Sequence, residues 1–197
     1  MAITRLGGAN AITGTIPQGN IANASLGAVT ALPAGVGGKI LQAVTVAKTD
    51  TYGETVSGNT LSTTIVTGLQ PSITPSSSSN TILITATLSL GYSTTGTGNS
   101  IGFVLKRGST VIGKGDSSGS RTSLSTATSV YSSYQLINES ISFIDNPSTT
   151  SSTTYGISLF NGSGSSRTCL LNRDDRNDDA AYAARGISTL TLMEIAG

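Results

Sequence analysis

The chain has 197 residues, of which 11% are charged and 5% are aromatic, and its formal net charge is +1. Ser and Thr together make up about 30% of it, His and Trp do not occur, and Cys169 is its single cysteine. These values exclude a Ser-His-Asp triad, an intrachain disulfide and a zinc site with histidine or four thiolate ligands. They also argue against a surface that binds nucleic acid. Composition therefore favours a β-rich structural or binding protein over an enzyme.

Residues 1–38 differ in composition from the rest of the chain. They contain no Asp, Glu or aromatic residue. Glycines and prolines interrupt them repeatedly, which argues against a long helix or strand and against insertion into a membrane. The segment is too apolar for an ordinary disordered tail. We predict an extended N-terminal arm that docks on a partner; a flexible leader is the alternative. The apolar side chains that would anchor this arm are Ile3, Leu6, Ile12, Ile16, Ile21 and Leu26.

From Lys39 onward, apolar residues alternate with polar ones, which is the pattern of half-buried β-strands. The clearest example is TILITATLSL, in which one face is formed by Ile82, Ile84, Ala86, Leu88 and Leu90. The tetrad Arg107-Gly108-Ser109-Thr110 predicts a hairpin turn. Further strands are expected near 40–46, 61–67, 101–105, 111–112, 137–143, 155–159, 166–171 and 186–195.

Eight to ten such strands predict an all-β fold, an antiparallel jelly-roll-like β-sandwich over residues 39–197 behind the arm of residues 1–38. The Ala-rich run 178–184 is the one place where a single helical turn is expected. Thr-rich outward faces with little charge suit packing against identical copies. The alternative is that Thr simply fills exposed strand positions.

The acidic residues offer two candidate sites. The run from Arg173 to Asp179 holds four aspartates that could ligate calcium, but Arg173 and Arg176 compensate part of the charge, so a solvated loop or an ion-pair network is preferred. Glu139 falls among inward positions and is expected to be a structural carboxylate bonded to Ser, Thr or Arg. Because no pair of acids has a definable catalytic geometry, we predict no catalytic residues, no metal and no cofactor.

Tyrosines provide the candidate binding residues. Tyr92, Tyr131, Tyr134 and Tyr182 fall in or beside predicted loops, and exposed tyrosine rings stack on sugars. Tyr131, Tyr134 and Tyr182 are therefore candidate contacts for a glycan receptor. Packing on strand ends or between subunits is an equally open interpretation. Cys169 lies in an apolar run and is expected to be buried.

Several segments in order resemble a β-sandwich domain found in tail fibres and other virion appendages of bacteriophages, notably those of cyanobacteria and marine bacteria. They are MAITRLGGANAITGTIP, KILQ, GLQPSITPSSSSNTILI, LKRGSTVIG, FIDNPSTTSSTTYGISL and ISTLTLMEIAG. The resemblance implies a virion structural protein, a homotrimer whose arm is anchored to the particle while the sandwich projects outward.

Three functions remain open at this point. The first is a short trimeric tail fibre or receptor-binding appendage, anchored to a tail adaptor or nozzle. The second is a capsid head-decoration fibre or cement protein, and the third is a glycan-cleaving tail component. In each, the chain is made in the host cytoplasm without export and ends up in the virion, with the tail preferred over the capsid surface.

Overall fold

The computed structural model describes residues 39–93 and 99–197, and every regular element in them is a β-strand. The predicted anchoring residues Ile3, Leu6, Ile12, Ile16, Ile21 and Leu26 lie outside the described residues. The strands are β1 (Ile40–Lys48), β2 (Tyr52–Val56), β3 (Thr60–Leu61), β4 (Ser72–Ile73), β5 (Thr81–Tyr92), β6 (Asn99–Arg107), β7 (Thr110–Ile112), β8 (Thr126–Val130), β9 (Ile137–Asp145), β10 (Thr153–Asn161), β11 (Arg167–Leu171) and β12 (Ser188–Ile195). The all-β prediction is confirmed.

The strands form two antiparallel sheets that pack as a sandwich. In the first sheet the order is β1-β12-β5-β11-β2, with β12 and β11 on the same edge of β5. The opposite edge of β5 pairs with β9. In the second the order is β3-β10-β6-β7, with β4 paired to β10 and β8 paired to β6. Because the chain crosses from one sheet to the other several times, the connections are those of a jelly-roll-like sandwich, as predicted.

The core lies between the sheets, where the alternating faces of β5 and β6 meet. The predicted inward set of β5 is buried throughout, as are Ile101, Phe103 and Leu105 of β6. Cys169 is also buried, which confirms the prediction for it, and burial raises the pKa of its thiol to about 12. The alternating pattern thus located these core residues, because each strand has a face that must leave water.

Polar side chains tie the two sheets together inside the sandwich. Asp145 at the end of β9 accepts two hydrogen bonds from Arg107 of β6 (2.9 and 3.0 Å) and one from the hydroxyl of Tyr155 in β10 (2.7 Å). Glu139 of β9 accepts a hydrogen bond from Thr126 of β8 (2.9 Å), which confirms the structural role predicted for this half-buried carboxylate. These hydrogen bonds fix the position of β9 relative to the second sheet.

For Tyr92 the alternative of packing on a strand end is the one that holds. It ends β5 with its side chain fully buried, and its hydroxyl donates to the side-chain oxygen of Asn161 in β10. Asn161 is fully buried too, and its amide group donates to the carbonyls of Val56, Ser57 and Ser165. The buried amide thus supplies the partner that the buried hydroxyl of Tyr92 needs.

Glu194 is a buried carboxylate on the core side of β12 that the sequence had shown only as an isolated acid. It accepts hydrogen bonds from Gln42, from Asn80 and from both the amide and the hydroxyl of Ser76. Desolvation raises its pKa, but the hydrogen bonds from Asn80, Gln42 and Ser76 outweigh this and bring the pKa to about 2. The charge therefore holds the 76–80 turn against β12.

The local predictions gave mixed results. The hairpin is confirmed, since Arg107 pairs with Thr110 across Gly108, whose φ of 55° is the left-handed conformation that the turn needs. Residues 61–67 are not one strand: after Leu61 the chain leaves the sheet, and single amide bonds from Ser62 and Val66 to β10 replace a ladder. Within residues 178–184 there is one hydrogen-bonded turn, in which the amide of Ala183 donates to the carbonyl of Ala180, and no helix forms.

Candidate functional site

The candidate site is built on a loop that leaves the first sheet between β11 and β12. Both strands pair with the same side of β5: Leu171 lies opposite Leu90, and Thr189 lies opposite Thr87. The chain therefore leaves the sheet and returns almost at the same point, with residues 172–187 looped out between. We call residues 172–187 the excursion loop.

Asn172 closes the neck of the excursion loop. It is fully buried, with a φ of 62°, and its side-chain amide donates to the carbonyls of Lys48 and Asp50, both at 2.8 Å. Its side-chain oxygen accepts a hydrogen bond from the hydroxyl of Ser188, where the chain re-enters the sheet (2.7 Å). Arg173 and Arg185 form an isolated bridge just beyond. The loop is thus fastened at its base to β1, to the turn that follows β1 and to β12.

A second loop, residues 131–136 between β8 and β9, lies beside the excursion loop. It is shaped by its own side chains: Gln135 accepts hydrogen bonds from the amides of Tyr131 and Ser132. The amide of Asp175 in the excursion loop donates to the carbonyl of Ser133 (3.1 Å). The two loops are therefore joined through the backbone as well as through side chains.

The side chains that join the loops form an exposed aromatic patch. The rings of Tyr134 and Tyr182 meet edge to face, with their centroids 6.1 Å apart and their planes at 69°. The guanidinium of Arg176 lies 4.7 Å from the centre of the Tyr134 ring. Asp178 accepts hydrogen bonds from Arg176 (3.0 Å) and from the Tyr182 hydroxyl (2.9 Å). We call Tyr134, Arg176, Asp178 and Tyr182 the tyrosine patch.

The charges of the patch stabilise one another. The hydrogen bond from Tyr182 and the nearby Arg176 lower the pKa of Asp178. The same hydrogen bond to Asp178 raises the pKa of Tyr182 and keeps its hydroxyl protonated as a donor. The pKa of Arg176 is raised, chiefly by its hydrogen bond to Asp178. At neutral pH the patch therefore offers two aromatic rings, one cation and one anion.

The three tyrosines predicted as receptor contacts are all exposed, Tyr131 by 64%, Tyr134 by 51% and Tyr182 by 66%. Tyr134 and Tyr182 come together in the patch, while Tyr131 lies on the same loop as Tyr134. The sequence reasoning missed Arg176 and Asp178 as partners of these rings. The signal was present, because Tyr182 follows Asp178 by four residues in the run that had been considered for calcium.

Two carboxylates of the acidic run are engaged within the loop. Asp174 is buried, and its carboxylate accepts the amide of Asn177 (2.7 Å), while Asp178 pairs with Arg176. Among the described residues, no three His, Cys, Asp or Glu side chains gather as a metal site would require. The loop is thus arranged by ion pairs and capped turns.

A cleft of about 380 Å³ lies beside β2 and the following turns. Hydroxyl-bearing residues line most of it, and Glu54 borders it with one carboxylate oxygen that has no hydrogen-bond partner. The other carboxylate oxygen of Glu54 accepts a hydrogen bond from the hydroxyl of Tyr52 (3.1 Å). The cleft is polar and carries no aromatic ring, unlike the tyrosine patch.

No protein-family model matches the chain, and none of the curated proteins compared with it matches it. Among solved structures, the chain is similar to the crystal structure of the infectious bursal disease virus VP2 subviral particle, with a TM-score of 0.34 and 11% sequence identity. The match covers 79% of this chain and 38% of that one. In the described residues, no helix is both long and apolar enough to cross a membrane.

Proposed function

We propose that this chain is a virion structural protein, a short trimeric tail fibre or receptor-binding appendage of a bacteriophage. The sequence resemblance to phage appendage domains is the starting point, and the two-sheet body suits a rigid, projecting part. In this proposal residues 1–38 anchor the chain to the particle, through a tail adaptor, a nozzle or the capsid. The protein breaks no covalent bond, since its role is attachment.

The observation that carries the attachment role is the tyrosine patch. Its two rings supply rigid apolar faces that lie flat on the C–H faces of a sugar. Beside them, Asp178 can accept hydrogen bonds from sugar hydroxyls, and Arg176 can donate to sugar oxygens. Exposed aromatic rings next to a charged pair, on loops fastened to a sheet, are the elements of a preorganised glycan-binding surface.

Three copies on one stalk would strengthen a weak contact. A single shallow patch binds a sugar only weakly, but linked copies convert later contacts into intramolecular ones. An appendage with three patches can therefore attach firmly to a host surface that repeats the same glycan.

The test of the proposal is to locate the protein in whole particles and to measure its effect on adsorption. Antibody labelling viewed by electron microscopy should place the protein on tails, and purified full-length chain should compete with phage for host cells. Labelling on heads, with no competition, would favour the head-decoration fibre or cement protein. Absence of the protein from particles would refute a virion role altogether.

Deleting residues 1–38 tests the anchoring separately. The shortened chain should be lost from particles while the full chain is incorporated. If particles incorporate the shortened and the full-length chain equally, residues 1–38 are not the anchor. The role of the tyrosine patch in attachment would then not depend on this arm.

A further inference from the structure

The outer face of the first sheet is uncharged over four adjacent strands. The register places its residues in three straight rows across β1, β12, β5 and β9. The rows are Ala47-Thr189-Thr87-Ser140, then Thr45-Thr191-Thr85-Ser142, then Ala43-Met193-Leu83-Ile144. We call these twelve residues the uncharged face.

None of the twelve residues is buried, so no part of the described chain covers them. The last row is apolar, and Ile144 is 56% exposed. Beyond this row the face continues into Ile40 and Leu41, which are 56% and 49% exposed. Strand propensity would explain threonines at these positions. It does not explain a row of Ala, Met, Leu and Ile that faces water.

We infer that the uncharged face packs against further copies of this chain. The inference deepens the homotrimer of the proposed function and rests on it. The chemistry of the face selects the partner, because a charged surface would lose its solvation there and gain no ion pair. An identical face brings no like charges together, and its hydroxyl groups can both donate and accept hydrogen bonds.

The edge of the first sheet formed by β1 also supports association between copies. Among the described strands β1 pairs only with β12, so its far edge forms no ladder with another described strand. Natural edge strands are usually protected by outward lysines or by proline. β1 has neither: its outward residues are Leu41, Ala43, Thr45 and Ala47, and Lys48 is turned inward and buried. An edge without such protection is expected to be covered by association.

The size of the face is that of the flat centre of an interface. Four strands spaced about 4.8 Å apart and three rows about 6.8 Å apart span a flat area of about 400 Å². Protruding side chains add to this area and bring it towards the roughly 800 Å² that each partner contributes to an ordinary stable interface. Three copies that turn this face towards one axis form a closed triangular core, which is the geometry a homotrimer requires.

The first test introduces a charge into the face of the full-length chain. Thr45→Glu places one negative charge per copy at an exposed position of β1, and Thr110→Glu is the matched control on the exposed edge strand β7. By analytical ultracentrifugation the wild type and Thr110→Glu should sediment as trimers. Thr45→Glu should weaken association at least tenfold, while circular dichroism shows that its fold is kept.

A second test does not depend on the stability of a charged variant. Thr45→Cys and Thr110→Cys introduce single reactive thiols, since native Cys169 is buried and its raised pKa keeps it unreactive. In the assembled protein, maleimide should label Thr45→Cys at least tenfold more slowly than Thr110→Cys. Dilution to monomers should remove the difference.

The outcomes separate the inference from the proposed function. A trimer in which both thiols react equally fast would leave the homotrimer standing and refute this face as its interface. A monomer in which Thr45→Cys stays protected would show that the chain's own residues 1–38 cover the face, which overturns the inference. A monomer with both thiols reactive overturns it as well, while virion incorporation is still decided by labelling of particles.

Discussion

The ring of Tyr134 lies edge-on to the ring of Tyr182, with 6.1 Å between their centres, although 47 positions of the chain separate them. The contact joins the 131–136 loop to the excursion loop. It exists because β5 has β9 on one side and β11 and β12 on the other, so that the loops beside these strands meet.

If the tyrosine patch binds a host glycan, Tyr134→Ala and Tyr182→Ala should each reduce the ability of the purified protein to block phage adsorption at least tenfold. Tyr182→Phe keeps the ring and loses only the hydrogen bond to Asp178, so its effect should be smaller. Because these side chains are exposed, stability should change by no more than about 0.5 kcal/mol. Thr110→Ala is the control, and unchanged blocking by both alanine variants would remove the receptor role of the patch.

Asn172 should be the residue on which the excursion loop depends most. We expect Asn172→Ala to lower the free energy of unfolding by about 2 to 3 kcal/mol, because two carbonyls and one hydroxyl lose a buried partner. Asn172→Gly accepts the φ of 62° without strain but lacks the side chain, so it should lose most of the same energy. Urea unfolding measures both, with exposed Asn146→Ala as control. Wild-type stability of Asn172→Gly would show that backbone conformation, not hydrogen bonding, closes the neck.

Glu194 should make stability depend on pH in acid. Its folded pKa of about 2 is below its ordinary value of 4.5, so its contribution is complete above about pH 4.5 and is lost as the pH falls towards 2. The shift corresponds to about 3 kcal/mol. Urea unfolding measured across this range should show the loss in the wild type.

Two variants check that this loss belongs to Glu194. Glu194→Gln should be less stable at neutral pH, because its amide group faces other donors, and its stability should fall less steeply in acid. Asn80→Ala removes one donor and should move the loss to higher pH. An acid slope that is the same in all three proteins would assign it to other carboxylates.

Asp145 should couple the sheets through its two partners. Tyr155→Phe is expected to cost about 1 kcal/mol, and Asp145→Ala about 3 kcal/mol because the half-buried Arg107 loses its counter-charge. In a double-mutant cycle, adding Tyr155→Phe to Asp145→Ala should cost less than it does alone. Tyr131→Phe, at an exposed position, is the control. Strict additivity would mean that the hydroxyl does not stabilise the carboxylate.

Much of the fold followed from the sequence by itself. Alternation in TILITATLSL predicted the buried apolar side chains of β5 from Ile82 to Leu90, since a one-residue shift would turn the whole apolar set towards water. The Gly108-Ser109 turn was also local, because glycine takes the φ that a two-residue hairpin needs. Glu139 was correctly expected to be structural because it shares a face with Ile137 and Ile141.

Only the tertiary structure decided which distant residues meet. Nothing local shows that Asn172 lies beside Lys48 and Ser188, or that Tyr134 lies beside Tyr182, because such contacts depend on strand order and register. The burial of Tyr92 and the structural role of Glu194 were decided in the same way, because their hydrogen-bond partners Asn161 and Asn80 come from other parts of the chain. The sequence by itself determined the faces of the strands, since alternation is a property of one strand. Pairing across the sheets decided the polar ties, the patch and the uncharged face, since each requires several strands at once.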